Sequence, residues 1–158
     1  MDRRKFLGSF TLATVGIAVV GRSARGAAGF GARSPLPPMT VYKTPTCGCC
    51  KDWIKHVEGS GFKVKPVDMD DLSPIKRSAG VPPAMESCHT ALVGPYVVEG
   101  HVPADLVKKM LDEKPKVVGL SVPGMVVGSP GMEQGTVKQP YNVVAFTRDG
   151  KSSVYARR

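Results

Sequence analysis

Three cysteines stand within four residues, Cys47-Gly48-Cys49-Cys50, directly between a strand-like run and a helix-like one. No other feature restricts the fold as much. Met39 to Thr44 alternates as a strand and is stopped by Pro45. Beyond the cysteines, Lys51 to Glu58 has helical character: Cys50, Ile54 and Val57 fall at i, i+4 and i+7 with Trp53 beside them. This spacing turns Cys50 inward and leaves Cys47 nearer solvent. A thiol at a helix N-terminus feels free N–H groups and the positive end of the helix dipole, both of which favour thiolate.

Further along, Phe62 to Val67 reads as a second strand. Ser73-Pro74 opens a short helix, with Ser73 as N-cap and Pro74 in the first turn. Ser87 to Val93 and Tyr96 to Glu99 read as strands joined by a tight Gly94-Pro95 link, a hairpin. His101-Val102-Pro103 opens a helix whose buried side is Leu106, Val107, Met110 and Leu111, and Pro115 ends it. The order β-α-β-α-β-β-α, with cysteines between the first strand and first helix, predicts an α/β thioredoxin-like three-layer domain by analogy of topology. Residues 117–136, rich in Gly, Pro and Met, read as a loop outside that minimal fold. Tyr141 to Phe146 and Ser152 to Tyr155, around an Asp149-Gly150 turn, read as a C-terminal β-hairpin extension.

The first 28 residues read as an export signal. Arg3-Arg4-Lys5 precedes an uncharged stretch from Leu7 to Val20, followed by small residues to Ala28. Arg3-Arg4 before Phe6-Leu7 resembles the twin-arginine type, although Asp2 and Gly8 depart from it. That places the protein in the periplasm, with a membrane anchor if the leader stays uncleaved. Residues 29–38 read as a linker and 39–158 as the domain. No apolar run reaches the ~20 residues of an ordinary membrane-spanning helix, so no stable span is expected in the mature form. The net charge is +9, and removing residues 1–28 takes away five cations and one anion to leave +5. The remaining Lys and Arg are scattered and aromatics are few, which argues against a nucleic-acid partner.

The chemistry lies in the sulfur. Cys88, next to His89, is the fourth and last cysteine. Three or four thiolates with an imidazole suit Cu(I) or Zn(II). On a regular strand Cys88 and His89 would point to opposite faces. Either the chain bends there or more than one ion is bound, and the second alternative favours Cu(I), which forms thiolate-bridged clusters. Met125 and Met132, both in Pro-Gly-Met contexts, add thioethers, which suit Cu(I) and not Zn(II). His101 ranks below His89 as a ligand, and His56, seven residues after Cys49, reads as solvated. Asp68, Asp70 and Asp71 read as a solvated turn, since no Ca²⁺-loop spacing follows. Structural disulfides are a competing use of the cysteines. Both Cys47–Cys50 with Cys49–Cys88 and Cys47–Cys49 with Cys50–Cys88 are feasible.

Several separated motifs resemble one family in order. They are Tyr42-Lys43-Thr44-Pro45-Thr46-Cys47-Gly48-Cys49-Cys50-Lys51-Asp52-Trp53, then Ser87-Cys88-His89-Thr90-Ala91 and Tyr96-Val97-Val98-Glu99-Gly100-His101-Val102-Pro103. Gly119 to Met125 and Gly128 to Glu133 continue the match. The family is the CopG-like group of small exported bacterial metal-binding proteins, long catalogued as a domain of unknown function. The resemblance covers about residues 39–155. It implies a thioredoxin-like fold, copper handling in the periplasm beside other copper-handling proteins, and copper held by Cys47, Cys49, Cys50, Cys88 and His89. It also implies that Met125 or Met132 completes or caps the site. The expected function is copper binding, as Cu(I) in a multinuclear thiolate site, for resistance, relay or redox conversion. No residue is assigned a catalytic role; any catalysis would be an oxidoreductase's, on copper or on disulfides. The alternatives are a thiol–disulfide oxidoreductase using Cys47 and Cys50, and a structural zinc site.

Overall fold

The computed structural model describes residues 35–158; the expected export signal and most of the expected linker lie outside the described residues. The elements follow the chain as β1 (Met39–Lys43), α1 (Gly48–Gly59), β2 (Val64–Asp68), α2 (Ser73–Ala79), β3 (His89–Val93), β4 (Tyr96–Glu99), α3 (Ala104–Glu113), β5 (Gly119–Ser121), β6 (Asn142–Phe146) and β7 (Ser152–Arg157). The seven strands of the described residues join one sheet in the order β2-β1-β3-β4-β5-β6-β7. The β1/β2 and β4/β5 pairs are parallel and the others antiparallel. The protein is therefore α/β.

Strand alternation sorts the core. Met39, Val41, Ala91, Val93, Val98 and Leu120 share one cluster with Trp53, Ile54 and Val57 of α1 and Leu106, Val107 and Met110 of α3. Val97 and Phe146 point to the other face and pack with Val81, Ala79 and Met85. Two helices thus cover one face and α2 the other. Leu36 is partly buried against the larger cluster.

Three local expectations are corrected. The stretch 117–136 is not all loop: Gly119–Ser121 is a short strand that pairs with β4 on one side and β6 on the other. Three residues are too few for alternation to be read. Ser73 is the first residue of α2 rather than its cap; its N–H donates to Asp71 Oδ1 at 2.8 Å, so Asp71 supplies the capping oxygen. His56 is half-buried rather than simply solvated, and its Nε2 accepts the N–H of Ala104 at 3.1 Å, satisfying a free donor at the start of α3. α1 begins at Gly48, so the cysteines form its cap and first turn.

Candidate metal centre

The site is built where the start of α1 meets the start of β3. Cys47 is the N-cap of α1, and its Sγ accepts from the Cys50 N–H at 3.3 Å. Cys50 is fully buried on the same face as Trp53, Ile54 and Val57, while Cys47 and Cys49 are partly exposed. Cys47 and Cys50 form a disulfide with a Cα–Cα distance of 5.3 Å; Cys49 and Cys88 are free thiols. Cys49 Sγ lies 3.5 Å from Cys47 Sγ and 4.0 Å from Cys88 Sγ. The bridge is thus one half of the first feasible pairing, and the other half has its sulfurs adjacent but unjoined.

The chain does bend at Cys88. The strand starts only at His89, and Cys88 stands in a bend before it. Its Sγ lies 3.4 Å from His89 Nδ1 and 3.0 Å from His101 Nε2. Adjacent residues therefore reach one place, which a regular strand forbids. His101 Nδ1 lies 2.8 Å from the Pro130 carbonyl. A carbonyl only accepts, so Nδ1 carries the proton and Nε2 presents its lone pair to Cys88. His89 is fully buried, tilted on Trp53 with ring centroids 4.4 Å apart and edge-on to His101 at 5.1 Å. Trp53 is itself held by an Nε1–H bond to the Val102 carbonyl, 2.9 Å. His89 Nε2 is a buried nitrogen without a hydrogen-bond partner among the described residues.

Two groups of donor atoms result. Cys47, Cys49, Cys50 and Cys88 converge within 4.8 Å of one another, as do Cys88, His89 and His101. Cys88 belongs to both. Burial, and then the neighbouring Cys49, push its thiol up to about 12. Burial likewise holds His89 well below the ordinary imidazole value, and lowers His101. A soft cation would supply the charge that makes Cys88 a thiolate. The residues present thus fit a soft metal.

The methionines differ in placement. Met125 is 60 % exposed, and Met132 is half-buried. Met132 follows Gly131, which lies directly on the first turn of α1: a Cβ there would be 2.8 Å from the Cys49 carbonyl and 2.6 Å from Trp53 N. His101 is the residue that local reading undervalued. A signal for it was available, because the tight Gly94-Pro95 link sets Val93 opposite Tyr96. Counting back along both strands puts Cys88 opposite His101.

Two solved structures of a copper resistance protein copG are similar to this chain. Form 2 is 50 % identical, with a TM-score of 0.74, over 79 % of this chain and 99 % of that one. Form 1 is also 50 % identical, with a TM-score of 0.73, over 77 % and 98 %. The chain belongs to the copG family. Residues 85–132 also match the family described as protein of unknown function DUF411, a segment that runs from Met85 through Cys88, His89 and His101 to Met132. No curated protein matches the chain. Among the described residues no helix is long and apolar enough to cross a membrane.

Proposed function

We propose that this copG-family chain is a copper-handling protein of the periplasm. It holds Cu(I) on the thiolates of Cys47, Cys49, Cys50 and Cys88 with His89, in a site of more than one ion. The observation that carries this reading is the sharing of Cys88 between a four-sulfur group and a Cys-His-His group. One thiolate serving two donor groups is what a bridged cluster requires. Thiolate and imidazole donors suit Cu(I), and the family relatives are copper resistance proteins. The scaffold is thioredoxin-like, a reading supported by β1 parallel to β2, antiparallel to β3, and followed by the cysteine-capped α1. Met132, beside the loop seated on α1, caps the site; Met125, exposed, meets incoming or leaving copper. The leader over residues 1–28 delivers the chain to the compartment where other copper-handling proteins are its partners.

Cu(II) oxidises thiolates, so metal load and sulfur redox state are linked. Two Cu(II) ions take one electron each, two thiolates lose one each, and the products are two Cu(I) and one disulfide. The Cys47–Cys50 bridge has the composition of that oxidised product. The linkage predicts that the bridged protein binds copper more weakly than the reduced one; equal affinity of both forms would refute it.

The deciding experiment is an anaerobic titration of the reduced protein with Cu(I) against a chromophoric chelator, repeated with Zn(II). More than one tightly held Cu(I) per chain, lost on Cys88→Ser, is the expected result. One Zn(II) without excess copper would point instead to a structural zinc site. The bridge at the start of α1, with Cys47 partly exposed and Cys50 buried, favours a thiol–disulfide oxidoreductase as second reading. Binding of neither metal, together with insulin-disulfide turnover, would establish it.

A further inference from the structure

Across the sheet from His89 lies a buried ion pair that the metal chemistry does not use. Lys76 of α2 bonds Glu99 at the end of β4, with side chains 7 % and 0 % exposed. Such a pair loses hydration on burial and often stabilises a fold no better than well-packed apolar side chains would. Its hydrogen bonds show where else it acts. Glu99 Oε1 accepts the Ser87 N–H at 2.7 Å, and Lys76 Nζ donates to the Ser87 carbonyl at 2.9 Å. Glu99 Oε2 accepts from Thr90 Oγ1 at 2.7 Å, and Lys76 lies 3.1 Å from the same hydroxyl. The pair therefore grips the residues on both sides of Cys88-His89. Ser87 Oγ also donates to the Gly124 carbonyl. Gly100 leaves Ser87 its space, since a Cβ there would stand 2.5 Å from Ser87 Cβ.

We propose that Lys76 and Glu99 are positioning residues of the metal site: by clamping both peptide groups of Ser87 they hold the bend that brings Cys88 and His89 together. The proposal rests on the metal-site reading above. The clamp acts through the backbone from the opposite face of the sheet and touches no sulfur. With the clamp removed, the strand can extend through Ser87 and Cys88, and regular alternation then parts the thiol from His89.

The test is the double variant Lys76→Met/Glu99→Leu in the full chain, with folding followed by circular dichroism and thermal melting. Two readouts are taken. One is Cu(I) affinity by chelator competition, expected to fall about 10–100-fold, the usual effect of losing the partners that orient ligands. The other needs no metal. Starting from the Cys47–Cys50-bridged protein, diamide accepts the two electrons and two protons released as Cys49 and Cys88 join. Mass spectrometry is expected to find that reaction at least about tenfold slower in the variant. If the double variant does not fold, Glu99→Gln keeps the shape and the Ser87 acceptor while loosening Lys76, and a smaller loss in both assays is expected. A folded variant with wild-type values in either assay overturns the proposal. If the wild-type chain takes up no Cu(I), the metal reading fails, and the diamide rate alone decides whether the clamp positions Cys88.

Discussion

Cys88 is the residue on which the site turns, because two sets of donor atoms meet at its sulfur. Its neighbour in sequence, His89, is half of one set; His101, thirteen positions on, is the other half. His101 is fully buried, its proton is committed to the Pro130 carbonyl, and its free nitrogen stands 3.0 Å from the Cys88 sulfur. A histidine so oriented is prepared to ligate. His101→Ala is therefore expected to weaken Cu(I) binding by about 10–100-fold, read by chelator competition. An unchanged affinity would reduce His101 to packing against His89. The chemistry of the sulfur cluster was legible from residue types and spacing alone. His101 is legible only by counting the register of the β3–β4 hairpin, which residue types alone do not give.

At the scale of elements, the site is a junction of α1, the β3–β4 hairpin and the loop that follows β5. The cysteine cap of α1 and its apolar face follow from periodicity, since Cys50, Trp53, Ile54 and Val57 are the buried residues expected from i, i+3, i+4 and i+7. The loop's part does not follow from periodicity. Gly131 lies against the backbone of Cys49 and Trp53 with φ +81°, where an L side chain is strained and also blocked. Its neighbour Pro130 fixes His101. Gly131→Ala is expected to destabilise the fold by about 1–3 kcal/mol, as overpacking does, and to weaken Cu(I) binding with it. Urea melts and the copper titration check the two effects. Gly48→Ala, whose Cβ would meet open space, is the control expected to leave both nearly unchanged.

For the whole molecule, the C-terminal hairpin is no appendage. β6 pairs with β5 and supplies Val143 and Ala145 to the larger core, and Phe146 to the smaller. Phe146 is fully buried, and its carbonyl accepts the Val118 N–H at 2.8 Å just before β5. Phe146→Ala is expected to cost about 3–5 kcal/mol by urea denaturation. A loss under about 1 kcal/mol would mean that the hairpin is peripheral to stability. Hydrophobic periodicity together with cap and turn residues determined the α/β class, every strand and α-helix but the short β5, and the inward turn of Cys50, because these depend on residues a few positions apart. Residue types pointed to soft-metal or thiol chemistry, the two readings proposed above. Tertiary structure alone decided the bend at Cys88, the seat of Gly131 on α1 and the Lys76–Glu99 grip on Ser87. Each of these joins residues far apart in sequence through hydrogen bonds and close backbone approach, which leave no period in the chain to read.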